Sequence, residues 1–119
     1  MTLEECYDML HGNYMEAKIR LMNDQLVGKF ITRFLDDPTM SLLLDAAEAG
    51  DRESAFRAAH TLKGVAANLA FTELQAAAST LTEQLRPLVA DPDKALLDAV
   101  KQAYGRVVEA VRLYNHPAE

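Results

Sequence analysis

Apolar residues recur along this chain at spacings of three and four, and no stretch sustains the period-two alternation of branched residues that marks a strand. Leu3, Cys6, Tyr7 and Leu10 make the first stripe, and Thr2 with Glu5 supplies a capping box for the helix beneath it. Gly12 and Asn13 end that helix. A second is predicted from about Tyr14, with Ile19, Leu21 and Met22 as its apolar points. A cap at Asn23 or Asp24 restarts the chain, and Leu26, Val27, Phe30, Ile31, Phe34 and Leu35 follow at helical spacing. Asp36-Asp37-Pro38 breaks this helix, because a residue before proline is pushed out of helical dihedrals. From about Thr39 to Ala49 the pattern buries Met40, Leu43, Leu44 and Ala47, and Gly50 is a natural C-cap.

Asp51 opens the next helix, with Glu53 well placed in its positive first turn. Thr72 and Gln75 form another predicted capping box, ahead of Leu74, Ala77, Ala78, Leu81 and Leu85 in a helix running to about Arg86. Asp91-Pro92 reads as a cap followed by proline at the first helical position. The last helix then turns Leu97, Val100, Tyr104, Val107, Val111 and Tyr114 to one side. Amphipathic helices joined by short turns predict an all-α fold, an up-and-down antiparallel four-helix bundle with one or two additional short N-terminal helices. One domain is expected over residues 1–119, with its core at about 14–114; there is no internal repeat, low-complexity segment or dividing linker.

Composition narrows the classes of function. Half the residues are apolar and a quarter charged, as in a globular domain, and the formal net charge is −6. Nucleic acid and acidic membranes select a basic face, so neither is an expected partner. With no secretory leader and no 18-residue apolar run, the expected location is the cytoplasm. Met1 and the polar tail suggest a complete small protein, expected to be a monomer. Cys6, the single cysteine, is expected as a buried small hydrophobe.

The candidate chemistry lies in "AAHTLKGVAANLAF", residues 58–71. At about 100° per residue, Ala55, Ala58, Ala59, Leu62, Ala66 and Leu69 fall in one stripe, the face a bundle core takes. His60 falls outside it. It centres a second sector holding Phe56, Lys63, Gly64, Ala67 and Phe71, which should face solvent. An apolar cluster exposed around a histidine marks a contact surface with a reactive group at its centre. Phe56 and Phe71 could instead be covered by the first helix or the chain end. A neutral imidazole nitrogen is a good nucleophile at physiological pH. Lys63, one turn on, can hold its ammonium over an anionic group attached to the ring. Gly64 removes a side chain that would crowd the ring, although a helical glycine costs up to about 1 kcal/mol relative to alanine. Arg57 could attract phosphate or an acidic partner, although a solubilising surface charge is the commoner role for such a residue, and His11 and His116 carry no assignment.

Other chemistries lack their parts. A helical metal site would pair His60 with His, Asp, Glu or Cys one turn away, where this chain has Phe56, Arg57, Lys63 and Gly64. There is no nucleophile elbow for a hydrolytic triad, and Thr61 lies on another side of the helix. No Walker-type loop or glycine-rich nucleotide fingerprint is present, so the chain should receive whatever group it carries, without an ATP site or cofactor of its own.

The run His60-Thr61-Leu62-Lys63-Gly64, between Ala58-Ala59 and Ala66-Ala67-Asn68-Leu69, resembles the H-x-L-K-G core of histidine phosphotransfer (HPt) domains. The resemblance extends through "RLMNDQLVGKFITRFLDD" (20–37) and "LLDAAEAGDRESAFRAAH" (43–60), and covers roughly residues 14–86 well. It implies that His60 is the phosphoacceptor, exposed in the middle of a helix of a four-helix bundle, that Lys63 steadies the phosphoryl group, and that Gly64 leaves room for it. It also implies transient complexes with receiver domains of response regulators or hybrid sensor histidine kinases, the receiver supplying the Mg²⁺. Phe56, Arg57, Ala67 and Phe71 are the expected docking residues. The family often has glycine two positions after Asn68, where this chain has Ala70, which puts the geometry of the following turn in question.

Two other functions share these residues. One is a phosphoacceptor domain of the chemotaxis-kinase type, loaded directly by a kinase catalytic domain. The other is a non-catalytic module that docks receivers without taking phosphate. The intact His60, Lys63 and Gly64 favour the carrier.

Overall fold

The helical spacings of the sequence become seven helices in the computed structural model, which describes residues 1–116. They are α1 (Leu3–Met9), α2 (Tyr14–Leu21), α3 (Asp24–Phe34), α4 (Thr39–Ala49), α5 (Arg52–Asn68), α6 (Thr72–Leu85) and α7 (Lys94–Asn115). The described residues contain no strand. Positions 117–119 of the expected domain, with the end of the polar tail, lie outside the described residues.

Local chemistry sets most helix ends. Thr2 and Glu5 form the reciprocal capping box, with the Glu5 amide donating to Thr2 Oγ1 at 3.1 Å and the Thr2 amide to Glu5 Oε1 at 2.9 Å. Asn23 caps α3 through the Leu26 amide, and Asp51 caps α5 through that of Ser54. Gly50 ends α4 at φ +69°, a left-handed conformation that glycine adopts without steric cost.

The expected inner stripe of α5 is buried in full, from Ala55 to Leu69. It packs on α4 and α6, and α6 in turn packs on α7, which also receives α1 and α3. The short links between α4, α5 and α6 turn each helix back along its neighbour. Leu74, Ala78, Leu81 and Leu85 of α6 and Val100, Val107 and Val111 of α7 complete this core.

The turn after α5 is fixed by the N-terminal helices. Ala70 adopts φ +57° and so carries the left-handed conformation for which glycine is the usual residue. Its carbonyl accepts the Asn13 amide at 2.9 Å, and the buried Tyr7 hydroxyl donates to the Leu69 carbonyl at 2.7 Å. The alanine therefore keeps the turn, held by two bonds from α1 and the link that follows it.

Several expectations change in the folded chain. Thr72 is the first helical residue of α6, not its cap; Phe71 occupies the cap position with no side-chain bond, and the His11 carbonyl accepts the Glu73 amide instead. At α7 the cap is Asp93, bonded to the Leu96 amide, not Asp91. Asp91 pairs with Arg52 while Gln84 brackets the loop, donating to the Asp91 carbonyl and accepting the Asp93 amide. In α2 only Ala17 is buried; Ile19 and Met22 are strongly exposed, because so short a helix covers little of the bundle. Thr39 and Ala46 join Met40 and Leu43 beneath α4, leaving Leu44 and Ala47 partly exposed.

Candidate functional site

His60 is the central residue of the 17-residue α5, and its imidazole is exposed. The buried stripe holds the opposite face of the helix against α4 and α6, so this orientation follows from the pattern of small apolar residues around it. The Phe56 ring lies one turn before it, its centroid 6.1 Å from that of the imidazole and tilted by 48°. Phe56 is only partly buried, one edge on the core and the rest beside His60.

Gly64 stands one turn beyond. A β-carbon built there meets nothing within 4 Å among the described residues, so no packing among them accounts for the glycine. The space beside the imidazole is open. Lys63 is half-buried and forms no ion pair among the described residues, which leaves its ammonium available on this face.

Glu83 of α6 and its C-cap residue Arg86 complete the surroundings, and neither follows from the sequence pattern of α5. Arg86 lays its guanidinium over Phe56, 5.3 Å from the ring centroid, a cation–π arrangement. Glu83 holds that guanidinium, with Arg86 Nη2 donating to Glu83 Oε2 at 2.7 Å and Nε to Oε1 at 3.1 Å. The Arg86 hydrogen bond keeps the Glu83 carboxyl below the usual carboxylate range, with smaller contributions from the charges of Lys63 and His60. Phe56, Arg57, His60, Thr61 and Arg86 line a shallow hollow of about 450 Å³. Thr61 thus shares the rim, although it lies about 100° around α5 from His60.

Phe71 is not part of this face. The helix ends at Asn68 and the left-handed Ala70 swings the chain inward, burying Phe71 against Tyr7 and Phe34, at centroid distances of 5.9 and 5.3 Å. The first helix covers it and its expected docking role is withdrawn. Ala67 remains half-exposed on the His60 side, and Arg57 is exposed and paired with Glu53. A larger hollow of about 550 Å³ lies at the far end of α5, beside Arg20, Phe30, Arg33, Asp37 and Asn68. Among the described residues no three His, Cys, Asp or Glu side chains gather as a metal set, and no helix is long and apolar enough to cross a membrane.

A family model for the Hpt domain matches residues 15–110. The chain belongs to the Hpt domain family. The match takes in α3 to α6 and most of α2 and α7, extending past the segments in which the motif resemblance was strong. No curated protein and no solved structure matches the chain significantly. As an Hpt domain it is a histidine-phosphotransfer module of phosphorelays, a carrier without its own ATP site, and its family works with receiver domains.

Proposed function

We propose that His60 is the phosphoryl carrier of this Hpt domain, loaded from a receiver-domain aspartyl phosphate and unloaded onto another receiver. The observation that carries the reading is the exposed imidazole at the centre of α5 beside a glycine whose missing side chain opens space that none of the described residues fills. A ring nitrogen attacks phosphorus, the N–P bond forms as the P–O bond to the receiver aspartate breaks, and the aspartate leaves as a carboxylate. The proton on the other ring nitrogen stays in place. Unloading runs these steps in reverse.

Each neighbour has a part in that transfer. Lys63 sets an ammonium against the incoming negative charge, and Gly64 admits the phosphorus and its oxygens to the ring. Phe56, Arg57 and Ala67 form the surrounding contact, while the receiver brings the aspartate and its Mg²⁺. A face of this kind suits a small, short-lived complex, since a carrier must leave one partner to reach the next.

The test is phosphate incorporation from a phosphorylated receiver domain, comparing the native chain with His60→Gln. Label that is acid-labile and alkali-stable on the native chain alone is the expected result. Receiver binding without any label would replace the carrier with a docking module.

A further inference from the structure

Arg86 is already engaged twice before any phosphoryl group arrives, by the Glu83 carboxylate and by the face of Phe56. Both contacts leave it half-exposed. The guanidinium is 5.3 Å from the Phe56 centroid and that ring 6.1 Å from the imidazole, so Arg86 lies no farther from His60 than those two distances together. It also forms part of the wall of the hollow that His60 lines. The long side chain, at the C-cap position just past α6, has the reach and the flexible stem to re-aim its head.

We propose that Arg86 is a phosphoryl-responsive latch, which exchanges the Glu83 carboxylate for the phosphoryl group when His60 is loaded. The inference rests on the carrier reading of His60. A phosphoryl group offers two or more anionic oxygens in the geometry a guanidinium fork prefers, and so competes well with one exposed carboxylate. No covalent bond is made or broken in the exchange. Glu83, once released, is left without its partner. The free domain thus shows a neutralised Glu83–Arg86 pair beside the histidine, and the loaded domain shows a carboxylate without its guanidinium. Arg57, paired with Glu53 one turn earlier on α5, is the other cation lining this hollow.

Chemical loading separates this idea from partner binding. Phosphoramidate is the donor: an imidazole nitrogen takes the phosphoryl group, the donor P–N bond breaks, and ammonia leaves. The second ionisation of the phosphohistidine is then followed by phosphorus NMR in the native chain, Arg86→Gln and Glu83→Gln. A cation on the phosphoryl group favours its dianion, so Arg86→Gln should strengthen proton binding to it by about two- to fivefold. Glu83→Gln, which removes the competitor, should weaken proton binding, and the opposite signs rule out a general loss of structure. The Arg86 Nε–H resonance should also move on loading. Identical titrations in all three chains overturn the latch. Failure of the native chain to take phosphate at His60 from phosphoramidate and from a phosphorylated receiver alike overturns the carrier reading instead.

Discussion

Gly12 faces the backbone of Ala70 so closely that a β-carbon on Gly12 would stand 2.6 Å from the Ala70 carbonyl oxygen. The same oxygen accepts the Asn13 amide, so the link from α1 to α2 is fitted to the turn that ends the histidine-bearing helix. Gly12→Ala would also press on Leu10 and Tyr7, both buried. It should destabilise the fold by about 1–3 kcal/mol, the usual range for overpacking, read as a lower denaturant midpoint at unchanged slope.

Gly64 and Gly105 make a matched pair, each in a helix with nothing within 4 Å of a β-carbon. Alanine at either position should stabilise the fold by up to about 1 kcal/mol, through helix propensity alone. Only Gly64→Ala should slow transfer from a receiver, by about tenfold or more, which corresponds to about 1.4 kcal/mol of barrier. Equal transfer rates for the two variants would remove the steric role assigned to Gly64.

The cap of the histidine-bearing helix titrates. Hydrogen bonds from the Ser54 hydroxyl and amide hold the Asp51 carboxyl below its ordinary value. A depressed folded-state value means that the stabilisation is present above the unfolded carboxylate range and is lost as pH falls through the folded one. The native melting temperature should therefore fall between about pH 5 and pH 2 more steeply than that of Asp51→Asn, whose amide oxygen caps without titrating.

Cys6 is fully buried in α1, and burial pushes its thiol pKa up to about 11. Alkylation at about pH 8 should be slow in the folded domain and fast once denaturant opens it, since the thiolate is the reacting form. The raised value also places a loss of stability on the alkaline side, beginning above the unfolded value and complete as pH passes the folded one. Tyr7, raised in the same direction by burial, adds to that alkaline loss.

The α5 stripe was legible because six small apolar residues at helical spacing admit one buried face, and the exposure of His60 follows from it. Gly50, Asn23 and Asp51 were legible for a similar reason, their bonds being local. The errors arise where distant groups intervene. Thr72 lost its cap role because the carbonyl of His11 reaches the Glu73 amide and the His11 ring pairs with the Glu73 carboxylate, a contact across 62 positions. Asp91 lost its own to Arg52. Phe71 looked like a continuation of the histidine face only on the assumption that the helix runs past Asn68. Glu83 and Arg86 could be read as an ion pair on one helix, but that they stand beside His60 depends on how α6 lies along α5.

The single exposed imidazole at the midpoint of α5 also has a kinetic consequence. A typical partner covers about 800 Å² on each side, and the described chain has 6706 Å² of accessible surface in all. On the proposed reading, donor and acceptor receivers both centre on the same atom, so their footprints coincide and no ternary complex can form. Relay traffic through the domain is then strictly sequential, and an excess of unphosphorylated acceptor occupies the face that the donor needs, so throughput passes through a maximum as acceptor concentration rises.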